Sequence, residues 1–127
     1  MKDDDGGFKF DPRLRTDGSS GIIETYIHAG GRIGAIVELR CETDFIARAE
    51  DLHTLGREIA MQVAAMNPRT VGSMDSPDQD SDSLLDQEYI RDPSKTIRDL
   101  INETIAKVGE RIWVARFVRF EVGMSNV

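Results

Sequence analysis

Few residues in this chain combine the type and spacing that chemistry requires. Cys41, His28 and His53 supply a thiol and two imidazoles, but a thiol attacks only when a neighbouring base or cation holds it as the thiolate. Their spacing puts no activating base beside Cys41, which falls next to Leu39 as a small apolar residue on the inward side of a strand. His28 and His53 belong to different elements, without the short His/Cys intervals that converge on zinc. Asp78-Gln79-Asp80-Ser81-Asp82 sets acids at alternate positions, as a calcium loop begins, yet Ser83 stands where the turn glycine is required and Tyr89 where the bidentate glutamate belongs. That run reads as a solvated acidic loop. Asn102-Glu103-Thr104 has the form of a glycosylation acceptor but falls inside an expected helix, with no secretory leader ahead of it. No catalytic residue, metal ligand set or cofactor is assigned.

The remaining feature is Thr43-Asp44-Phe45. Thr43 is suited to cap a helix, and Asp44 then lies in the first turn near unpaired N–H groups. Two readings are open on the residues alone. The plainer one makes Thr43 and Asp44 only a cap and Phe45 a core residue at the helix start; the other carries Phe45 at the tip of a sheet-to-helix junction, where it can meet a partner.

The elements around it read clearly. Ile22 to His28 and Ile33 to Cys41 are rich in β-branched residues, and Ala29-Gly30-Gly31-Arg32 supplies the glycines of a tight hairpin. After Cys41 the period becomes helical: Leu52, Leu55, Ile59, Val63 and Met66 share one face, and Asn67-Pro68 stops the run. A second helix follows Pro93, with Ile97, Leu100, Ile101, Ile105 and Val108 before Gly109. Ile112 to Val122 reads as a last strand whose alternation slips between Arg116 and Arg119, the mark of a bulge. The expected fold is α+β: a two-layer, three-stranded antiparallel sheet covered on one face by helices, in the order β-β-α-α-β. Residues 1–20 read as an acidic, Gly/Ser-rich arm, 21–123 as the domain with a flexible loop at 72–87, and 124–127 as a tail.

Alternation along the second strand sends Ala35, Val37, Leu39 and Cys41 to the helices and Ile36, Glu38 and Arg40 to the other side. Ile22, Tyr26 and Ile36 are then expected on a second, uncovered face, and a second copy of the chain is its natural cover. The 127 residues, at 39% hydrophobic, suit one domain with one core. A net charge of −7 lacks the basic footprint of direct nucleic-acid binding. One cysteine excludes an internal disulfide, and no long apolar run marks a membrane span, so a reducing cytoplasm is the expected location.

The run YIHAGGRIGAIVELRCETDFIAR closely resembles the core domain of translation elongation factor Ts, and the likeness continues through DLHTLGREIAMQVAAMNP and resumes in YIRDPSKTIRDLINETIAKVGERIWVARFVRFEVG. Three blocks in family order make the match specific. The resemblance implies an exchange factor, not an enzyme, that binds the GTPase elongation factor Tu and promotes release of its GDP. It implies that Thr43, Asp44 and Phe45 contact Tu, with the Phe45 ring inserted as a wedge beside the nucleotide site. It also implies that homodimerisation restores the sheet-on-sheet packing that two half-domains make within longer members.

The chain departs from the family in three places. MKDDDGGFKFDPRLRTDGSS bears no likeness to the usual amino-terminal helical module, the insertion before the second helix is reduced to Gly72 to Gln87, and Arg40 stands where an asparagine is usual. The acidic arm in place of that module favours one alternative, a Tu-binding or scaffold paralogue without efficient exchange. A Cys41/His53 hydrolase ranks well behind both, because nothing brings acid, base and nucleophile together.

Overall fold

The computed structural model describes residues 20–77 and 82–124. The expected arm lies outside the described residues apart from Ser20, as does the tail beyond Met124. Strand β1, Ser20–Ile27, and strand β2, Ile33–Cys41, pair antiparallel from Ser20 opposite Cys41 to Ile27 opposite Gly34. Their connection closes because Gly30 and Gly31 adopt φ of 92° and 72°, a region that penalises any Cβ. Strand β5, Ile112–Glu121, pairs with the free edge of β2, so the sheet order is β1-β2-β5 and β2 is central.

The slip in β5 is a bulge. Leu39 faces Val114 and Glu38 faces Arg116, which leaves Ala115 as the extra residue, just ahead of the Arg116 to Arg119 interval where the sequence suggested it. The inserted residue resets the alternation. Ile112 and Val114 point to the helices before it, and Phe117 and Arg119, opposite Val37 and Ala35, do so after it.

Among the described residues three helices lie on that face: the single turn α1, Asp44–Ala47; α2, Glu50–Met66; and α3, Ile97–Val108. Leu52, Ile59 and Val63 of α2, with Ile97 and Ile101 of α3, are fully buried in one core with Val37, Leu39 and Cys41. At about 1.5–3 kcal/mol per buried large aliphatic side chain, this cluster is the principal stabilising term. Met66, expected on the same stripe, is exposed at the last turn, where Asn67 turns left-handed with φ 48° before Pro68. A capping box of Thr96 and Asp99 starts α3, and Gly109, φ 81°, ends it. The observed fold is the expected α+β arrangement, a three-stranded antiparallel sheet packed against helices. No helix among the described residues is long and apolar enough to cross a membrane.

The connection between α2 and α3 departs from expectation. Leu84 and Leu85, in a short 3₁₀ turn Leu84–Asp86, are completely buried, so the end of the stretch expected as a flexible loop belongs to the core. Arg98 of α3 fixes it, donating to the Asp86 carboxylate at 3.0 Å and to the Ser73 carbonyl. Strands β3, Glu88–Tyr89, and β4, Asp92–Thr96, then form a small separate hairpin where only a lead-in to the helix was expected. Buried Gln62 of α2 holds this hairpin. Its amide donates to Gln87 Oε1 and the Glu88 carbonyl at 3.1 and 2.9 Å and accepts from the Ile90 N–H at 3.0 Å, so its polar atoms are satisfied.

Tyr89 is also buried here, and its hydroxyl donates to Glu58, which Arg91 pairs at 3.0 Å. Burial, reinforced by the bond to Glu58, pushes the phenol up to about 12. An unfolded tyrosine ionises near pH 10. The contribution is therefore complete below about pH 10 and lost as pH rises through the interval to about 12. Tyr89→Phe should flatten that part of the stability profile. Urea unfolding at about pH 9 and about pH 11 checks it: the wild type must lose more stability than the variant over that range, and equal losses would show that Tyr89 is not the group responsible.

Candidate functional site

The tip between β2 and α2 is built by four elements that meet where the sheet ends. Thr43 is extended, φ −132° and ψ 154°, and its Oγ1 accepts the Ile46 N–H at 3.3 Å, capping α1 as the sequence predicts. Ser20, buried at the start of β1, donates its hydroxyl to Asp44 Oδ1 at 2.7 Å. From the far side Glu110 accepts three donors: the backbone N–H of Glu42 at 3.2 Å, that of Thr43 at 3.1 Å, and Thr43 Oγ1 at 2.6 Å. Glu42 answers by accepting the Arg111 N–H at 2.8 Å. Beneath them the Cys41 thiol donates to the Thr43 carbonyl at 3.3 Å. Burial, with the Glu110 charge second, pushes that thiol above its usual range, the opposite of what a nucleophile needs.

Within α1 the side chains divide sharply. Ile46 and Ala47 are buried, whereas Phe45 is 75% exposed. The reading of Phe45 as a core residue is therefore excluded, since a core phenylalanine would have little surface left to wet. Thr43, Asp44 and Phe45 stand together as a braced step with one apolar ring directed outward. Ser20, Glu42 and Glu110 escaped the sequence reading, because what brings them to the tip is a strand register that exists only in the folded sheet. Continuing the Cys41–Ile112 register past the strand ends brings Glu42 opposite Arg111 and Thr43 opposite Glu110.

The other chemistry-bearing residues are engaged elsewhere. His53 Nδ1 lies 2.6 Å from Glu24 Oε2, on the side of β1 that packs against α2. Asp82, the described end of the acidic run, pairs with Arg69 at 3.2 Å, and residues 78–81 lie outside the described residues.

Comparison with known proteins decides the family. The family model described as Elongation factor TS matches residues 12–83. Elongation factor Ts of Caldanaerobacter subterraneus subsp. tengcongensis is 40% identical over 140 positions, which cover 83% of this chain and 70% of that protein. The elongation factor Ts of Moorella thermoacetica is 39% identical over 86% of this chain and 71% of its own length, and that of Desulfitobacterium hafniense 37% identical over 83% and 64%. The chain belongs to the elongation factor Ts family.

An alignment of 140 positions against a chain of 127 residues contains positions where this member of the family has no residue. The side of the sheet away from the helices also differs from expectation. Residues directly opposite in an antiparallel pair share a face, and Ile22 faces Leu39 while Tyr26 faces Ala35, so both lie on the helix side with the core. Only Ile36 of the three expected there is on the open side. Its apolar neighbours are Ile23 and Ile27 of β1 and Val118 and Phe120 of β5, all exposed, Phe120 at 64%. At the tip end the same face becomes polar: the guanidinium groups of Arg40 and Arg111 stand 5.8 and 5.0 Å from the centre of the Trp113 ring, and Arg116 pairs with Glu38 at 2.7 Å.

Proposed function

We propose that this elongation factor Ts family member binds elongation factor Tu in the cytoplasm and promotes release of its GDP, with Thr43, Asp44 and Phe45 as the element that enters the partner. The observation that carries the reading is Phe45 itself, 75% exposed on a turn braced by two other segments, Ser20 through the Asp44 carboxylate and Glu110 through the Thr43 N–H. An exposed ring gains about 1.5–3 kcal/mol when buried. If that burial is available only when the nucleotide site of the partner is open, the chain binds nucleotide-free Tu more tightly than GDP-bound Tu. Reciprocity then requires that GDP be weakened by the same ratio, about tenfold for each 1.4 kcal/mol. The role needs no covalent chemistry from this chain.

The test is release of a fluorescent GDP analogue from Tu of the same organism, with and without this protein in substoichiometric amount. Catalytic acceleration supports the proposal. Tight association without acceleration favours the alternative of a Tu-binding or scaffold paralogue. We further infer that the chain acts as a homodimer through the open sheet face around Ile36. Several large apolar side chains share that face, and nothing among the described residues covers them.

A further inference from the structure

We propose that Glu110 is a positioning residue for the Thr43-Asp44-Phe45 tip, holding it in the geometry the partner meets. This rests on the tip being the exchange element, as proposed above.

Glu110 comes from a distant part of the chain, one residue past the glycine that ends α3 and two before β5. One oxygen of its carboxylate accepts both the Glu42 and the Thr43 N–H groups, and the second takes the Thr43 hydroxyl proton. That last bond has a directional consequence. With its proton committed to Glu110, the Thr43 hydroxyl presents lone pairs to the Ile46 N–H, the bond that starts α1. Glu110 thus sets the rotor that caps the turn bearing Phe45, and the Glu42 bond to the Arg111 N–H closes the clamp from the other side. A four-residue helix has too few internal bonds to hold itself. External bonds must fix its direction.

Bonds to an ionised acceptor are stronger than neutral ones, so removing this carboxylate should loosen the tip without touching the core. In Glu110→Ala, amide hydrogen exchange at Thr43 and Ile46 should accelerate by about tenfold or more while the buried turns of α2 keep their protection. Glu110→Gln, which keeps one oxygen for the two N–H groups but sets an amide donor against the Thr43 hydroxyl, should change in the same direction by less. Stimulated GDP release should fall about tenfold in Glu110→Ala, and by less than about twofold more when the substitution is added to Phe45→Ala, because a group that acts through the ring has little left to lose without it. Unchanged exchange at Ile46 in both variants would overturn the assignment. So would a full additional tenfold loss in the Phe45→Ala background. If the wild type gives no acceleration of GDP release, the functional reading fails, and amide exchange alone decides the role of Glu110.

Discussion

Phe45→Ala should lower stimulated GDP release by about tenfold to hundredfold and leave the unfolding free energy within about 0.5 kcal/mol of wild type. The asymmetry follows from exposure. A core phenylalanine cut to alanine costs about 3–5 kcal/mol, but the Phe45 ring is 75% exposed, and the neighbours that fix the fold locally are Ile46 and Ala47. Exposed positions away from such contacts change stability little. The exchange effect draws on the ring burial gained only in the complex, about 1.5–3 kcal/mol, which sets the size of the expected loss. Stopped-flow GDP release with equilibrium urea unfolding on the same preparation provides both numbers. A variant destabilised by several kcal/mol would return Phe45 to a structural role, and an unimpaired one would remove it from the interface.

Wild type should sediment as a dimer at micromolar concentration, and Ile36→Asp or Phe120→Asp should sediment as a monomer. Both side chains lie on the side of the sheet away from the helices, so either substitution leaves the core of one protomer intact while burying an unpaired carboxylate in the contact. Such a charge costs several kcal/mol unless paired, which weakens association by more than about hundredfold. Tyr26→Asp makes the opposite prediction. Tyr26 pairs with Ala35 on the helix side, and its hydroxyl lies 3.0 Å from His28 Nδ1, so a charge there should lower stability and not set the oligomeric state. Monomeric wild type, or dimers that survive both sheet-face substitutions, would rule out this face as the contact.

The backbone plan was legible because each element carries its own local signal. Two glycines close the hairpin, β-branched residues fill β2, and the 3.6-residue stripes mark α2 and α3. The errors arose where facing depends on a partner strand. Ile22 and Tyr26 alternate as the sequence suggests, but their facing relative to Ile36 depends on the register of β1 against β2, which one strand alone does not carry. Arg119 similarly points to the core side because of a bulge, and its guanidinium is held there by the Ala64 carbonyl at 3.0 Å and Glu121 at 3.0 Å. Leu84 and Leu85 were hidden by the Ser/Asp-rich residues ahead of them. At the candidate site, Thr43 was readable as a cap from its neighbours, whereas Ser20 and Glu110 act across the fold and leave no local trace.

The central position of β2 also bears on the order in which the protein acquires its shape. The hairpin of β1 and β2 is local and can close as soon as its residues are free, but β5 must return from the far end of the chain to the other edge of β2, a closure that is slow because its entropy is spent before its contacts form. During synthesis the Phe45 turn therefore leaves the ribosome before the Glu110 segment that completes its brace. Until β5 docks, a nascent chain displays the ring with only the Ser20 half of its brace, and a product truncated before Glu110 would carry the proposed recognition sequence without the clamp that Glu110 supplies.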